Sequence, residues 1–293
     1  MYPSTVPTYE EVCSGFAFPV PHSYYKLLQL AFELSPRNPW NAFDPFDFTG
    51  LGNTHANPHY VYPGHDTAST PVEIYVIGWT GTDGGHYGFL VDDLPTKSQE
   101  LPIVEVYPLD GECRLLGMNV TEFLSVRIGE SVRDYGEQWY KEHYELISRL
   151  VCELDVNISR SIDEILTNAI LERAQAGCIF TTIDRCGTKV PMQLVDWEFW
   201  TRIDWDVVRR EDEMPMHLLN EAGSRMGKGD YATAFLIAKN LWMLYWQRTP
   251  SGDAREWIRR TGDVMQQAYR ILERKHLEEK MRSVIEWILQ EVV

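Results

Sequence analysis

Four histidines, His55, His59, His65 and His86, lie in the first half of the sequence, and imidazole is a common zinc ligand. His55 and His59 have a metal-like interval, but Pro58 interrupts it, so the two rings do not share a helical face. No Glu follows His55, so the zincin pattern is absent. Four imidazoles closing from a loop on Zn²⁺ would still make a metal-dependent hydrolase. Asp92 and Asp93 are paired carboxylates, yet neighbours on a strand point to opposite faces, which opposes a shared proton. Gly81, Gly84, Gly85 and Gly88 could cradle an anion with backbone N–H groups. Asp83, Asp92 and Asp93 beside them would repel phosphate, and a hairpin turn is the favoured reading. The run Gly223-Ser224-Arg225-Met226-Gly227-Lys228-Gly229 has too few residues between its glycines for a P-loop. It also lacks Ser/Thr after the Lys, and no strand feeds it, so it reads as a helix-to-helix turn. A Gly-x-Ser-x-Gly elbow is absent. These groups do not assemble an active site, and neither catalysis nor a cofactor is expected.

The composition describes what must position such groups. Of 293 residues, 44% are apolar and 12% aromatic, with ten Trp, which is enough for a substantial packed core and excludes global disorder. No uninterrupted apolar stretch spans a bilayer, and Met1-Tyr2-Pro3-Ser4 does not open a leader, so a cytoplasmic protein is expected. Five widely spaced Cys (13, 113, 152, 178 and 186) fit reduced thiols better than a disulfide framework. The net charge is −16, and through Ile128 there are 5 Lys/Arg against 15 Asp/Glu. That acidity disfavours nucleic acid and anionic membrane and favours a basic protein partner.

The first half reads as mixed α and β. Tyr24, Leu27, Leu28, Ala31 and Phe32 recur at helical spacing after Ser23, a candidate cap, and before the Ser35-Pro36 stop. Residues 36–71 have no sustained period. Four β-like runs follow, Val72–Trp79, Tyr87–Val91, Ile103–Tyr107 and Cys113–Leu116. Their connections are too short for crossover helices, which predicts antiparallel pairing. Asn119-Val120-Thr121-Glu122 has capping-box spacing and opens a short helix with Phe123 and Leu124.

After about residue 130 the period is mostly helical. Trp139, His143, Leu146, Ile147, Leu150, Val151 and Leu154 form one stripe. Ser161-Ile162-Asp163-Glu164 opens another helix with Ile165, Leu166, Ala169 and Ile170, and Gly177 is its stop. Residues 178–200, with a β-like Cys178–Ile183, are not placed by pattern. Four helices are expected from Met216. The tight turn at Gly227–Tyr231, with Ala222 and Ala234, resembles one tetratricopeptide unit, but no second copy recurs at a fixed period.

The run Val72–Trp79, then Gly81-Thr82-Asp83-Gly84-Gly85-His86-Tyr87-Gly88-Phe89-Leu90-Val91-Asp92, then Leu101–Val106 and the closing Asn119–Leu124 resembles the SUKH (Smi/Knr-like) superfamily over about residues 8–128. The resemblance implies an α+β fold, an antiparallel sheet flanked by helices, here followed by a mainly α-helical domain of packed hairpins. The expected division is 1–130 and 131–293. Many bacterial members resemble immunity proteins that block secreted toxins, often nucleases, whereas others are scaffolds, and no shared catalytic residues carry over. The expected function is non-catalytic occlusion of a basic toxin or nuclease domain by a surface around the hairpin: Trp79, Asp83, His86, Tyr87, Asp92 and Asp93. Core packing is the competing role for Trp79 and Tyr87. The alternatives are a scaffold that binds peptides or helices through its helical half and the histidine-based hydrolase.

Overall fold

A computed structural model describes residues 6–16, 18–51, 70–81, 84–108, 110–211, 213–247 and 253–291. The fold is α+β, with one four-stranded and one two-stranded sheet among many helices. The described residues divide into two compact units. The first comprises those within Met1–Tyr60, Ile74–Tyr107 and Arg114–Glu172, and the second those within Val61–Glu73, Pro108–Cys113 and Arg173–Val293.

The first unit opens with α1 (Tyr9–Phe16) and α2 (His22–Leu34). The predicted stripe is the buried face of α2: Tyr24, Leu27, Leu28, Ala31 and Phe32 are all in the core. The helix ends at Ser35, whose N–H donates to the Ala31 carbonyl. Ser23 is not the cap; Pro21 holds that position without a side-chain bond, and the Ser23 hydroxyl donates to the Glu100 carboxylate instead (2.8 Å to Oε2).

The sheet has the order β1 (Ile74–Trp79), β2 (His86–Leu90), β3 (Ile103–Tyr107) and β4 (Glu112–Gly117), each beside its sequence neighbour. β1 and β2 pair antiparallel with Ile74 opposite Leu90 and a register shift between Val76 and Gly78. β2 and β3 pair antiparallel with His86 opposite Val106. β2 is buried along its whole length, so its even and odd positions are both core. At Gly88 the strands approach too closely for a side chain, since a Cβ there would lie 2.3 Å from Ile74 Cγ2 and 3.0 Å from the Tyr75 carbonyl oxygen. Gly88→Ala is therefore expected to cost about 1–3 kcal/mol, read as a lower thermal midpoint; an unchanged midpoint would refute the crowding.

Asn119 caps α3 (Val120–Glu142) as its spacing predicts: its Oδ1 accepts from Glu122 N–H at 2.8 Å, and Glu122 Oε2 accepts from Met118 N–H at 2.9 Å. The helix is not short. Val126 and Ile128 continue its buried face, and the chain stays helical to Glu142 with one break at Gly136 (φ 82°, ψ −176°). α4 (Tyr144–Leu154) and α5 (Ile162–Gln175) follow. Ile147, Leu150, Leu154 and Ile165 join the same core as α2 and β2, so the first unit continues well past the change of period near residue 130. Ile170, predicted on the buried stripe of α5, is 44% exposed.

In the second unit β5 (Cys178–Ile179) and β6 (Thr188–Lys189) form their own antiparallel pair, which places the stretch that pattern left unassigned. Two short helices, α6 (Trp197–Trp200) and α7 (Trp205–Val208), lead to α8 (Met216–Gly227), α9 (Tyr231–Gln247), α10 (Ala254–Ile271) and α11 (Lys275–Glu291). The last four are the predicted helices, and successive members pack together around Phe235, Leu241, Trp242, Trp257, Met265 and Leu277. The Gly227-Lys228-Gly229 segment is the helix-to-helix turn expected: Gly229 has φ 86°, and its N–H donates to the Met226 carbonyl. No described helix is long and apolar enough to cross a membrane.

Candidate partner-binding site

Among the described residues, the β1–β2 hairpin brings together three of the predicted contact residues, Trp79, His86 and Tyr87, and buries two of them. Its mouth is closed by Thr80, whose N–H and hydroxyl both donate to the Gly85 carbonyl, at 2.9 and 3.1 Å. Trp79 is half-buried and bridges to Thr49 through two backbone hydrogen bonds of 2.8 and 2.9 Å. Its indole lies over Gly50, which has φ +67° and where a Cβ would sit 2.4 Å from Trp79 Cδ1. His86 is buried, edge-on to Trp79 at 5.6 Å, and its Nδ1 lies 3.0 Å from the Gly84 carbonyl oxygen.

Tyr87 is a core residue. It is 0% exposed, edge-on to Phe48 at 5.5 Å, with the Arg127 guanidinium 5.6 Å from its ring centre. Burial pushes its phenol far above the ordinary range, so it stays neutral and presents no ring to a partner. Asp92 is buried as well, whereas Asp93 is exposed and followed by the 40%-exposed Leu94. Trp79 and Asp93 are thus the predicted residues left with outward surface. Asp83 and three of the four histidines, His55, His59 and His65, lie outside the described residues. Among the described residues, no group of three or more His, Cys, Asp or Glu is placed to hold a metal ion.

Two charged assemblies escaped the sequence reading. In the first unit, Arg127 is inserted between the 44–47 turn and its own helix. Its Nε donates to the Phe46 carbonyl (3.1 Å), one terminal nitrogen to Asp47 Oδ2 (3.0 Å) and the other to Glu130 Oε2 (2.8 Å). Arg114 pairs with the same Glu130 and lies 3.6 Å from Glu105.

In the second unit, Lys239 is buried in the middle of α9. Its Nζ is 2.8 Å from Glu73 Oε1 and 3.2 Å from Asp184 Oδ2, and the Tyr269 hydroxyl donates to Glu73 Oε1 at 2.9 Å. Asp184 Oδ1 accepts from the Thr182 hydroxyl (2.7 Å) and Cys186 N–H (3.2 Å). Burial alone would raise the Glu73 carboxyl, but the Lys239 ammonium outweighs it and holds it below the usual range. Burial would likewise lower Lys239, but Asp184 and Glu73 raise it well above the ordinary value. An ammonium so held has no lone pair to attack a carbonyl. Burial also pushes the neighbouring Cys113 and Cys186 thiols up, away from the reactive thiolate. This cluster therefore ties Glu73, the Thr182–Cys186 turn, α9 and α10 together.

One sequence signal could have located it. Lys239-Asn240 is a polar pair inside a helix that is otherwise apolar on every side, and such a helix is buried throughout. No protein-family model matches the chain, and no curated protein does.

Proposed function

We propose that this chain is a non-catalytic protein-binding protein of the immunity type, with a SUKH-like first unit, that works in the cytoplasm. It would bind a basic secreted toxin domain stoichiometrically and cover its active cleft. The observation that carries this reading is where the charge sits. The stretches forming the first unit hold 9 Lys/Arg against 21 Asp/Glu, a net −12 of the chain's −16. Six of those nine cations (Arg114, Arg127, Arg133, Lys141, Arg149 and Arg160) are engaged by acids of the same unit. The surplus is carboxylate, a field that speeds encounter with a basic surface and slows it with phosphate. Affinity would then come from a few well-packed rings.

Co-expression with toxins encoded beside the gene tests the reading. One of them is expected to co-purify at one-to-one stoichiometry and lose its activity, with an association rate that falls roughly tenfold or more from low to high salt. If no such toxin loses activity on binding, the immunity role is refuted.

A further inference from the structure

Around its break at Gly136, α3 begins a row of rings that runs on to α4; Trp139 and Tyr140 pack against the first unit's core, and Tyr135 and Tyr144 reach outward. Tyr135 and Tyr144 are 60% and 58% exposed, and Trp139, Tyr140 and His143 are half-buried. Tyr135, Trp139 and His143 follow at four-residue steps: Tyr135 stacks on Trp139 with ring centres 6.1 Å apart at 29°, and His143 is tilted against Trp139 at 4.6 Å and 34°. Tyr140 meets Tyr144 edge-on at 6.0 Å. The row is anchored, because Trp139 packs edge-on against Phe46 at 5.8 Å and His143 Nδ1 lies 2.9 Å from the Trp139 carbonyl oxygen. Trp139 and His143 are thus held in place without a partner, which lowers the entropy lost on binding.

Carboxylates lie close to the row along the chain. Glu142 and Glu145 are exposed on α3 and the start of α4 and Asp44 is exposed two residues before Phe46, whereas Glu137 and Asp47, also exposed, already pair with Lys141 and Arg127. Flat π-faces with carboxylates nearby suit a planar cation. An aliphatic partner would dehydrate the acids without compensation, and an anionic one would be repelled. The chain already uses this chemistry internally, with the Arg225 guanidinium 3.9 Å above the Phe199 ring centre.

Building on the protein-binding reading, we propose that this row is the docking surface for an arginine-bearing loop or tail of the basic partner. Guanidinium planes stack on the exposed rings of Tyr135 and Tyr144, which Trp139 backs, while their charges meet the exposed carboxylates nearby.

The test uses the full chain and a fluorescein-labelled Arg-Gly-Ser repeat peptide, followed by anisotropy. Tyr135→Ser/Tyr144→Ser changes two exposed side chains and leaves the Trp139–Phe46 anchor in place; Glu172→Ser, at an exposed acid of α5, is the control. The peptide is expected to bind the unsubstituted chain, about tenfold more weakly to the double variant, and unchanged to Glu172→Ser. A peptide with Lys for Arg is expected to bind several-fold more weakly at equal charge. Failure to bind, or equal binding by the double variant, overturns the proposal, the latter because charge alone would then hold the peptide. Self-association of the unsubstituted chain that the double variant abolishes would also overturn it, since a second copy would be the occupant. A toxin still fully inhibited by the double variant would remove this surface and leave the immunity role standing. Peptide binding with no inhibited toxin would do the reverse.

Discussion

Replacing Lys239 with alanine is expected to lower the stability of the second unit by about 3–5 kcal/mol, read from the urea midpoint by tryptophan fluorescence. The cause is the pair of carboxylates left behind. Glu73 is 2% exposed and Asp184 0%, and without the ammonium each keeps only neutral donors. Removing the acids too, as Lys239→Met/Glu73→Gln/Asp184→Asn, is expected to recover a good part of the loss, because buried charge without a counter-charge is the dominant penalty. A single variant within about 0.5 kcal/mol of the parent would show that the network contributes nothing.

The pH dependence has a definite sign. Glu73 is depressed in the folded state, so its contribution is present above the unfolded carboxylate value and is lost as pH falls through the folded one. Lys239 is raised, so its contribution is present below the unfolded lysine value of about 10.4 and is lost as pH rises through the folded one. The contribution of the Glu73–Lys239 pair should therefore be flat between roughly pH 5 and 10. In Lys239→Ala the orphaned carboxylates gain from protonation, so its deficit is expected to shrink toward acid. A deficit that widens toward acid would contradict this.

The second large effect belongs to Arg127. Arg127→Leu is expected to destabilise the first unit by about 2–3 kcal/mol in thermal or urea unfolding. The loss is smaller than at Lys239 because the Asp47 side chain is 50% exposed and Glu130 retains Arg114. Arg127 also fastens the 44–47 turn through the Phe46 carbonyl and Asp47, and Phe46 supports Trp139. Its loss should therefore weaken the arginine peptide as well, whereas a core substitution of equal cost away from that turn should not. Arg127→Leu/Glu130→Gln is not expected to regain that stability, since the second change also removes the charge that Arg114 pairs with.

The local elements were legible because their determinants are local. The α2 stripe, β3, the Asn119 cap and the Gly229 turn each depend on residues within a turn or two of one another. The hairpin was legible too, but not which of its side chains are outward. Alternation assigns alternate faces and cannot say that both faces of β2 are covered, so Tyr87 read as a possible contact residue and lies in the core. The position of Ile170 failed for a related reason: a helical stripe names a face, while packing decides how wide a strip of it is covered. The candidate docking row was half visible, since Trp139 and His143 stood out as one stripe, but Tyr135 and the break at Gly136 did not.

By itself, the order of residues determined the α+β class, the antiparallel hairpin, the helices after Met216 and the large negative charge, all of which follow from short-range pattern or plain counting. Folding alone decided that Glu73 meets Lys239 across 166 positions, that Tyr87 is buried, and that Tyr135 and Tyr144 are exposed. Those outcomes depend on which surfaces exclude solvent from one another, and that depends on contacts between segments far apart along the chain, which no local period encodes.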